Sequence, residues 1–414
     1  MEKVILLLST LDTKGPETLY LKECIARQGA SCILLDMSMS GEYPGADIGS
    51  AETARAGGGD IEEIRSSRER KRITRQMIGG ATKIALDYFQ SGKLAGVIGL
   101  GGSTGSLMAT EVMRALPFGI PKLMVSSTAA LPGLATRYIG TGDIAVLHTV
   151  IEIAGLSAPL KNLLERAGAA ISAMSRVQPL TVGSARESGK PLVALSMFGP
   201  TEKCAHAVRE GLEQHGFQVI GFSAAGVCDR AMEEMIAQGF FDAVVELAPG
   251  GVGEEILGGM RAAGPNRLTE AGKLGLPQVI APGGLNLTSP RKSHYKPEHH
   301  QRRKFDLDEL RTFLRVSDEE MIQIAQVFAE KVRGAKGPVI FLFPTMGWSA
   351  VDVSSSHMFD PNQDKILYDK MKSVAGPNVE IREVHGNLED HAFAQEVLKA
   401  CLDIFPKTTG NRQS

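Results

Sequence analysis

Cysteine is scarce in this sequence and shows no pairing pattern: five residues among 414, at positions 24, 32, 204, 228 and 401, an odd number without a C-x-x-C spacing. A disulfide framework and the cysteine-based zinc signatures are thereby excluded, and reduced thiols in a cytoplasmic compartment are expected. Long hydrophobic runs are missing too. No stretch approaches the ~20 apolar residues of a membrane span, and the run at residues 4–8 is too short for a signal peptide. Nor is charge of one sign in excess, 45 Lys plus Arg standing against 47 Asp plus Glu for a formal charge of -2. With no net field to attract polyanions or acidic lipid, neither nucleic acid nor a membrane is an expected partner.

What is present is ordinary globular material, arranged twice. Hydrophobic residues make up 43% and charged residues 22%, and 414 residues exceed the size at which one core usually stops growing. A β-rich run at residues 4–8 leads into Ser9-Thr-Leu-Asp-Thr-Lys-Gly15 and a helical stretch; residues 192–196 lead likewise into Met197-Phe-Gly-Pro-Thr-Glu-Lys203 and another. Further on, Ala95-Gly-Val-Ile-Gly-Leu-Gly-Gly102 parallels Asp242-Ala-Val-Val-Glu-Leu-Ala-Pro249, and Ile120-Pro-Lys-Leu-Met-Val125 parallels Leu276-Pro-Gln-Val-Ile-Ala281. Short β-rich runs alternating with segments of helical period imply parallel sheets covered by helices. The expected fold is therefore α/β: two Rossmann-like parallel-sheet lobes related by internal duplication, with a cleft between them. The first lobe is placed at residues 1–182, a polar linker at 183–190, the second lobe at 191–405 and a disordered tail at 406–414.

First-lobe strands are expected at residues 4–8, 32–35, 96–100 and 122–125, with a further one at 138–140; second-lobe strands at 192–196, 218–222, 243–247, 278–281, 339–343 and 379–384. Matching positions are 189 residues apart at Lys14 and Lys203 but 147 apart at Val97 and Val244, so the first lobe carries 42 extra residues. These fall within residues 42–92 and include a helix over about 64–90. The second lobe has its own addition at 286–337, where Ser317 and Glu320 have capping-box spacing.

Chemistry concentrates at the strand ends. Gly99-Leu-Gly-Gly-Ser-Thr-Gly-Ser106 follows a strand and precedes a helical segment expected to begin near Leu107. Glycines let backbone amides approach an anion, and a helix start adds partial positive charge, so this segment is a phosphate cradle in chemical type, with a tight structural turn as the alternative. No Lys-Ser or Lys-Thr ends it, which excludes a Walker A loop. Thr10, Asp12, Thr13 and Lys14 leave the first strand at the same edge; hydroxyls and an ammonium suit phosphate oxygens, and Asp12 could orient a magnesium ion or a ribose hydroxyl, although a simple helix cap explains the same residues. Ser126 and Ser127 end the next strand and add donors. In the second lobe Lys203, Glu246, His294 and His357 are candidates for catalysis, with Glu246 a general base or merely a carboxylate bonded to a helix start. The His- and Arg-rich loop 291–304 could close over an anionic substrate, whereas the charge run Arg65, Arg68, Arg70, Lys71, Arg72 and Arg75 reads as a solvated helix face.

Thr10-Leu-Asp-Thr-Lys-Gly15, Gly99-Leu-Gly-Gly-Ser103, Pro121-Lys-Leu-Met-Val-Ser126 and Glu152-Ile-Ala-Gly-Leu156 resemble signature segments of the ATP-binding-domain family of the plant tobamovirus-resistance protein and its uncharacterised bacterial and fungal relatives. Arg230-Ala-Met-Glu233, Ala263-Gly-Pro-Asn-Arg-Leu268 and Ala392-Phe-Ala394 extend the likeness through the second lobe. The resemblance implies a protein that binds ATP with magnesium and forms a homodimer, its nucleotide contacts falling on Asp12, Thr13, Lys14, Gly101, Gly102, Ser103 and Thr104. Three departures stand out: Gly105 follows Ser103-Thr104 where a further Gly-Gly-Thr order is common, Arg68-Glu-Arg-Lys71 replaces an Asp-Arg-Gly segment, and Pro282-Gly-Gly-Leu-Asn286 ends in an amide where a carboxylate is usual. Three functional readings follow: an ATP-dependent enzyme acting on a small anionic metabolite, a non-catalytic nucleotide-responsive module, and a sugar-nucleotide epimerase or glycosyltransferase-like enzyme.

Overall fold

The computed structural model describes residues 3–186, 189–309 and 311–406; most of the expected tail, 407–414, lies outside them. The chain divides into two compact units, one ending at Thr181 and the other starting at Val182.

In order, the first unit comprises β1 (Val4–Ser9), α1 (Leu11–Arg27), β2 (Cys32–Asp36), α2 (Ser50–Ala56), α3 (Ile61–Ser66), α4 (Arg70–Gln90), β3 (Leu94–Gly101), α5 (Ser103–Ala115), β4 (Lys122–Ser126), α6 (Leu134–Ile139), β5 (Ala145–His148) and α7 (Ala158–Met174). Its five strands pair in parallel in the order β2-β1-β3-β4-β5. Because side chains alternate along a strand, β1 feeds two cores. Leu6 and Leu8 pack with Ile73 and Met77 of α4 and with Met108 and Val112 of α5, while Ile5 and Leu7 pack on the other face with Leu21 and Ile25 of α1 and Leu160 and Leu164 of α7.

The second unit comprises β6 (Leu192–Met197), α8 (Glu202–Gln214), β7 (Gln218–Ser223), α9 (Val227–Ala237), β8 (Ala243–Glu246), α10 (Gly251–Leu257), α11 (Glu270–Leu274), β9 (Gln278–Ile280), β10 (Leu287–Thr288), α12 (Pro297–Gln301), β11 (Lys304–Asp306), β12 (Thr312–Arg315), α13 (Asp318–Arg333), β13 (Val339–Pro344), α14 (Pro361–Val374), β14 (Val379–Val384) and α15 (His391–Ile404). Six of these strands form a parallel sheet in the order β14-β13-β9-β8-β6-β7. Numbered within each unit, both sheets read 2-1-3-4-5, the second adding a sixth strand. That shared order is the structural counterpart of the repeat in the sequence.

Four expectations need correction. Residues 138–140 are not a strand but the end of α6 and its glycine stop, and the fifth strand is β5. The helix expected over 64–90 is broken, since Ser67 has extended backbone (φ -74, ψ 137) and ends α3 before α4 begins. Helix α5 starts at Ser103 instead of Leu107. The addition in the second unit contains a small antiparallel sheet, β10-β12-β11, as well as a helix. The expected capping box is present: Ser317 Oγ accepts from the Glu320 amide at 3.2 Å, and Glu320 Oε2 accepts from the Ser317 amide at 2.9 Å.

Candidate functional site

Strands β1 and β3 lie side by side, yet their following helices go to opposite faces of the sheet, α1 to one and α5 to the other. In a 2-1-3-4-5 sheet this is the topological switch point, where a crevice opens beyond the carboxyl ends of the strands. A cavity of about 450 Å³ occupies that place, lined by Thr10, Asp12, Thr13 and Lys14 after β1, by Gly102 to Gly105 after β3, and by Met39, Arg70 and Thr74 from the inserted segment. The structure thus brings together the two turns that the sequence singled out, and all of the lining belongs to the first unit.

The two helix starts at the cavity differ. At α5 the cap residue Gly102 is extended (φ -80, ψ -153) and no side chain caps the helix. Its first amides therefore face the cavity as donors without a helical partner, the arrangement that binds anions. Gly101 is required here by close approach, since a Cβ on it would lie 2.8 Å from Gly105 Cα and 2.9 Å from the Ser106 amide nitrogen. Beneath the turn Ser106 Oγ donates to Ser126 Oγ at 2.7 Å, and Ser126 Oγ accepts from the Thr128 amide at 3.1 Å. Ser126 is buried, so it braces the turn from below.

At α1 the opening amides are already taken, Leu11 N donating to Asp36 Oδ1 at 3.1 Å and Asp12 N to Ser38 Oγ at 3.0 Å. The Thr10 and Thr13 hydroxyls are 3.0 Å apart, and Asp12 Oδ2 accepts from Ser40 Oγ at 2.6 Å. Lys14 leaves helical geometry (φ -133, ψ 24) just before Pro16. Its ammonium, only 14% exposed, donates to Glu152 Oε1 at 2.9 Å and to the Ile153 carbonyl at 2.6 Å. The bond from Lys14 holds the Glu152 carboxyl below its usual range, and Ser127 Oγ donates to the other carboxylate oxygen at 3.2 Å. Lys14 and Ser127 are thus linked through Glu152.

The second unit fills its corresponding positions with its own side chains. The amides of Lys203 and Cys204, at the start of α8, donate to the Glu389 carboxylate at 3.3 and 3.1 Å. Glu246 is fully buried, accepts from Ser196 Oγ and pairs with Arg267 at 2.6 Å; Arg267 also pairs with Asp229 and Glu233. Burial pushes the Glu246 carboxyl up, and Arg267 opposes that shift. A Cβ on Gly283 would lie 2.2 Å from the Leu247 carbonyl and one on Gly250 2.7 Å from the Gly284 carbonyl, so these glycines let strand-end loops pack on each other. Asn286 donates to Asp352 Oδ2 at 2.8 Å and Asp364 Oδ1 at 3.2 Å, which a carboxylate at that position could not do. His294 Nδ1 lies 3.2 Å from Ser293 Oγ and His357 Nε2 lies 2.8 Å from the Lys304 carbonyl. The basic loop is tied down where Arg302 pairs with Glu320 and Arg303 with Asp360. Among the described residues no group of three or more His, Cys, Asp or Glu could hold a metal ion, and no helix is long and apolar enough to cross a membrane.

Arg70, Met39 and Thr74 are the wall residues that sequence reasoning missed. Arg70 belongs to a charge run that reads as a solvated helix face, and only the break of the expected helix at Ser67 puts it at a helix start.

Comparison with known proteins agrees with this two-unit arrangement. The N-terminal domain of the family described as "Uncharacterised protein family (UPF0261)" matches residues 3–179, and the C-terminal domain of the same family matches residues 190–405. A UPF0261 protein of Clostridium tetani (strain Massachusetts / E88) is 33% identical over 412 residues, covering 98% of this chain and 100% of that one. The ToMV resistance protein Tm-1(GCR237) of Solanum lycopersicum is 32% identical over 320 residues, 76% of this chain and 42% of that protein. Among solved structures, an esterase domain from Rhodothermus marinus aligns over 52% of this chain and 86% of its own at 11% identity, with a TM-score of 0.31, too low to bear on fold or function. Matched by both domains in order and by a bacterial relative along its whole length, the chain belongs to the UPF0261 family.

Proposed function

We propose that this protein binds a nucleotide through its phosphates at the start of α5, with ATP and magnesium as the pair that the family resemblance implies. The observation that carries the reading is the convergence of the β1 and β3 turns on one cavity of about 450 Å³, with the α5 amino end left uncapped. A phosphate there would accept from backbone amides, with the hydroxyls of Thr10, Thr13, Ser103 and Thr104 lining the same space. Asp12 is a carboxylate in the lining, which suits a magnesium ion arriving on the phosphates, since that ion is commonly held by one or two carboxylates together with them. Lys14, already engaged by Glu152, supplies a neutralised wall more than a free charge.

A role in binding rather than catalysis is favoured by the state of the second unit, where Glu246 is buried against Arg267 and the α8 amides are covered by Glu389. Residence in the cytoplasm and assembly as a homodimer are proposed on the strength of the sequence and the resemblance. The test is thermal denaturation with magnesium and ATP, with UDP-sugars, or without nucleotide, alongside a nucleotide turnover assay. Stabilisation by ATP without turnover is the expected result. Preference for a sugar nucleotide would transfer the reading to that class, and no response to either would end it.

A further inference from the structure

Helix α4 begins with charges of the wrong sign for its own dipole. Its first turn contains no acidic residue and its cap residue, Glu69, makes no capping bond. Arg70 and Lys71 nevertheless lie in this first turn, where the macrodipole is positive and cations are disfavoured, and Arg75 follows in the second turn. Arg72 is compensated by Glu63 at 2.9 Å and Glu69 at 3.2 Å. Among the described residues none forms an ion pair with Arg70, Lys71 or Arg75. A second cavity, of about 670 Å³, runs along these residues and shares Arg70 with the cavity at the α5 start. The protein therefore keeps an uncompensated guanidinium beside uncapped amides while the other cation of the lining, Lys14, is occupied by Glu152.

We propose that Arg70 is the specificity-determining cation of the pocket, meeting the distal phosphate of a nucleoside polyphosphate whose nearer phosphate rests on α5; this deepens, and rests on, the nucleotide-binding reading. A planar guanidinium suits two phosphate oxygens at once, so Arg70 distinguishes a triphosphate from a monophosphate by contacts that the shorter ligand cannot reach.

The experiment is calorimetric titration of the full chain with magnesium and ATP, ADP or AMP, and with inorganic tripolyphosphate, for the wild type, R70Q, R70K and the double variant K71Q/R75Q. R70Q should weaken ATP and tripolyphosphate by about 10- to 100-fold and AMP far less, which matches loss of a charge-assisted hydrogen bond. R70K should recover part of the loss. K71Q/R75Q should keep the wild-type preference for ATP over AMP. Arg70 is exposed, so the melting temperature of ligand-free R70Q should not fall, and a fall would show a structural role instead. Equal ATP-to-AMP preference in wild type and R70Q would overturn the assignment of Arg70 alone, while a wild type silent to every probe would overturn the nucleotide-binding reading beneath it.

Discussion

Gly101 and Asp364 are two residues whose chemistry is set by what surrounds them. At Gly101 a methyl group would press on the backbone of Gly105 and Ser106, which cannot move without displacing the α5 start. Gly101→Ala should therefore destabilise the chain by about 1–3 kcal/mol and abolish the thermal response to ATP, as read by denaturant titration and melting curves. Asp364 shares the Arg315 guanidinium with Asp352, and burial pushes its carboxyl from the ordinary 3.8 up to about 8, with Arg315 opposing the shift and Asp352 adding to it. A folded-state value above the unfolded one means that the folded chain holds a proton the unfolded chain has released. The contribution of this group is complete below about pH 3.8 and is lost as pH rises toward about 8. Unfolding free energy should accordingly drop between pH 5 and 8.5 more steeply in the wild type than in Asp364→Asn, which mimics the protonated acid; parallel profiles would exclude the effect.

At the level of elements, the start of α5 is where the fold meets the proposed function. Proline is tolerated at the first position of a helix, where its missing N–H breaks no helical bond. Ser103→Pro should leave the helix intact yet remove one donor from the cavity, weakening ATP by about 10- to 100-fold with little change in far-UV circular dichroism. Elements with continuous buried runs were legible in the sequence, β1, β3, β6 and β13 among them, because apolar residues on both faces and a glycine or hydroxyl turn at the end leave few alternatives. Residues 138–140 misled because Tyr and Ile favour strands, whereas Tyr138 is buried as part of α6 and its hydroxyl lies 3.0 Å from Thr128 Oγ1. The small sheet β10-β12-β11 escaped notice because its strands, of two, four and three residues, are too short to show a period. The cradle itself could be read from local order, glycines after a strand. Arg70 could not be placed there, because its position depends on how the insertion folds back on the sheet, and the hold of Glu152 on Lys14 spans 138 residues of sequence.

Across the whole molecule, two units with the same strand order have taken different paths at the same topological position. In the first, the amides at the start of α5 remain open beside an unpaired Arg70; in the second, the matching start of α10 is buried, its Gly250 turn packed against Gly284, and Glu246 at the end of β8 is locked to Arg267. Each unit thus has one such turn after its third strand, and packing of the strand-end loops fills the one in the second unit. The proposed function therefore implies a single phosphate-binding site per chain, in the first unit. Hydrogen–deuterium exchange with and without saturating magnesium and ATP tests this most directly. The account predicts slowed exchange in peptides containing residues 103–106 and no change at residues 250–253; ATP binding that leaves 103–106 unaltered, or that protects 250–253 instead, would contradict it.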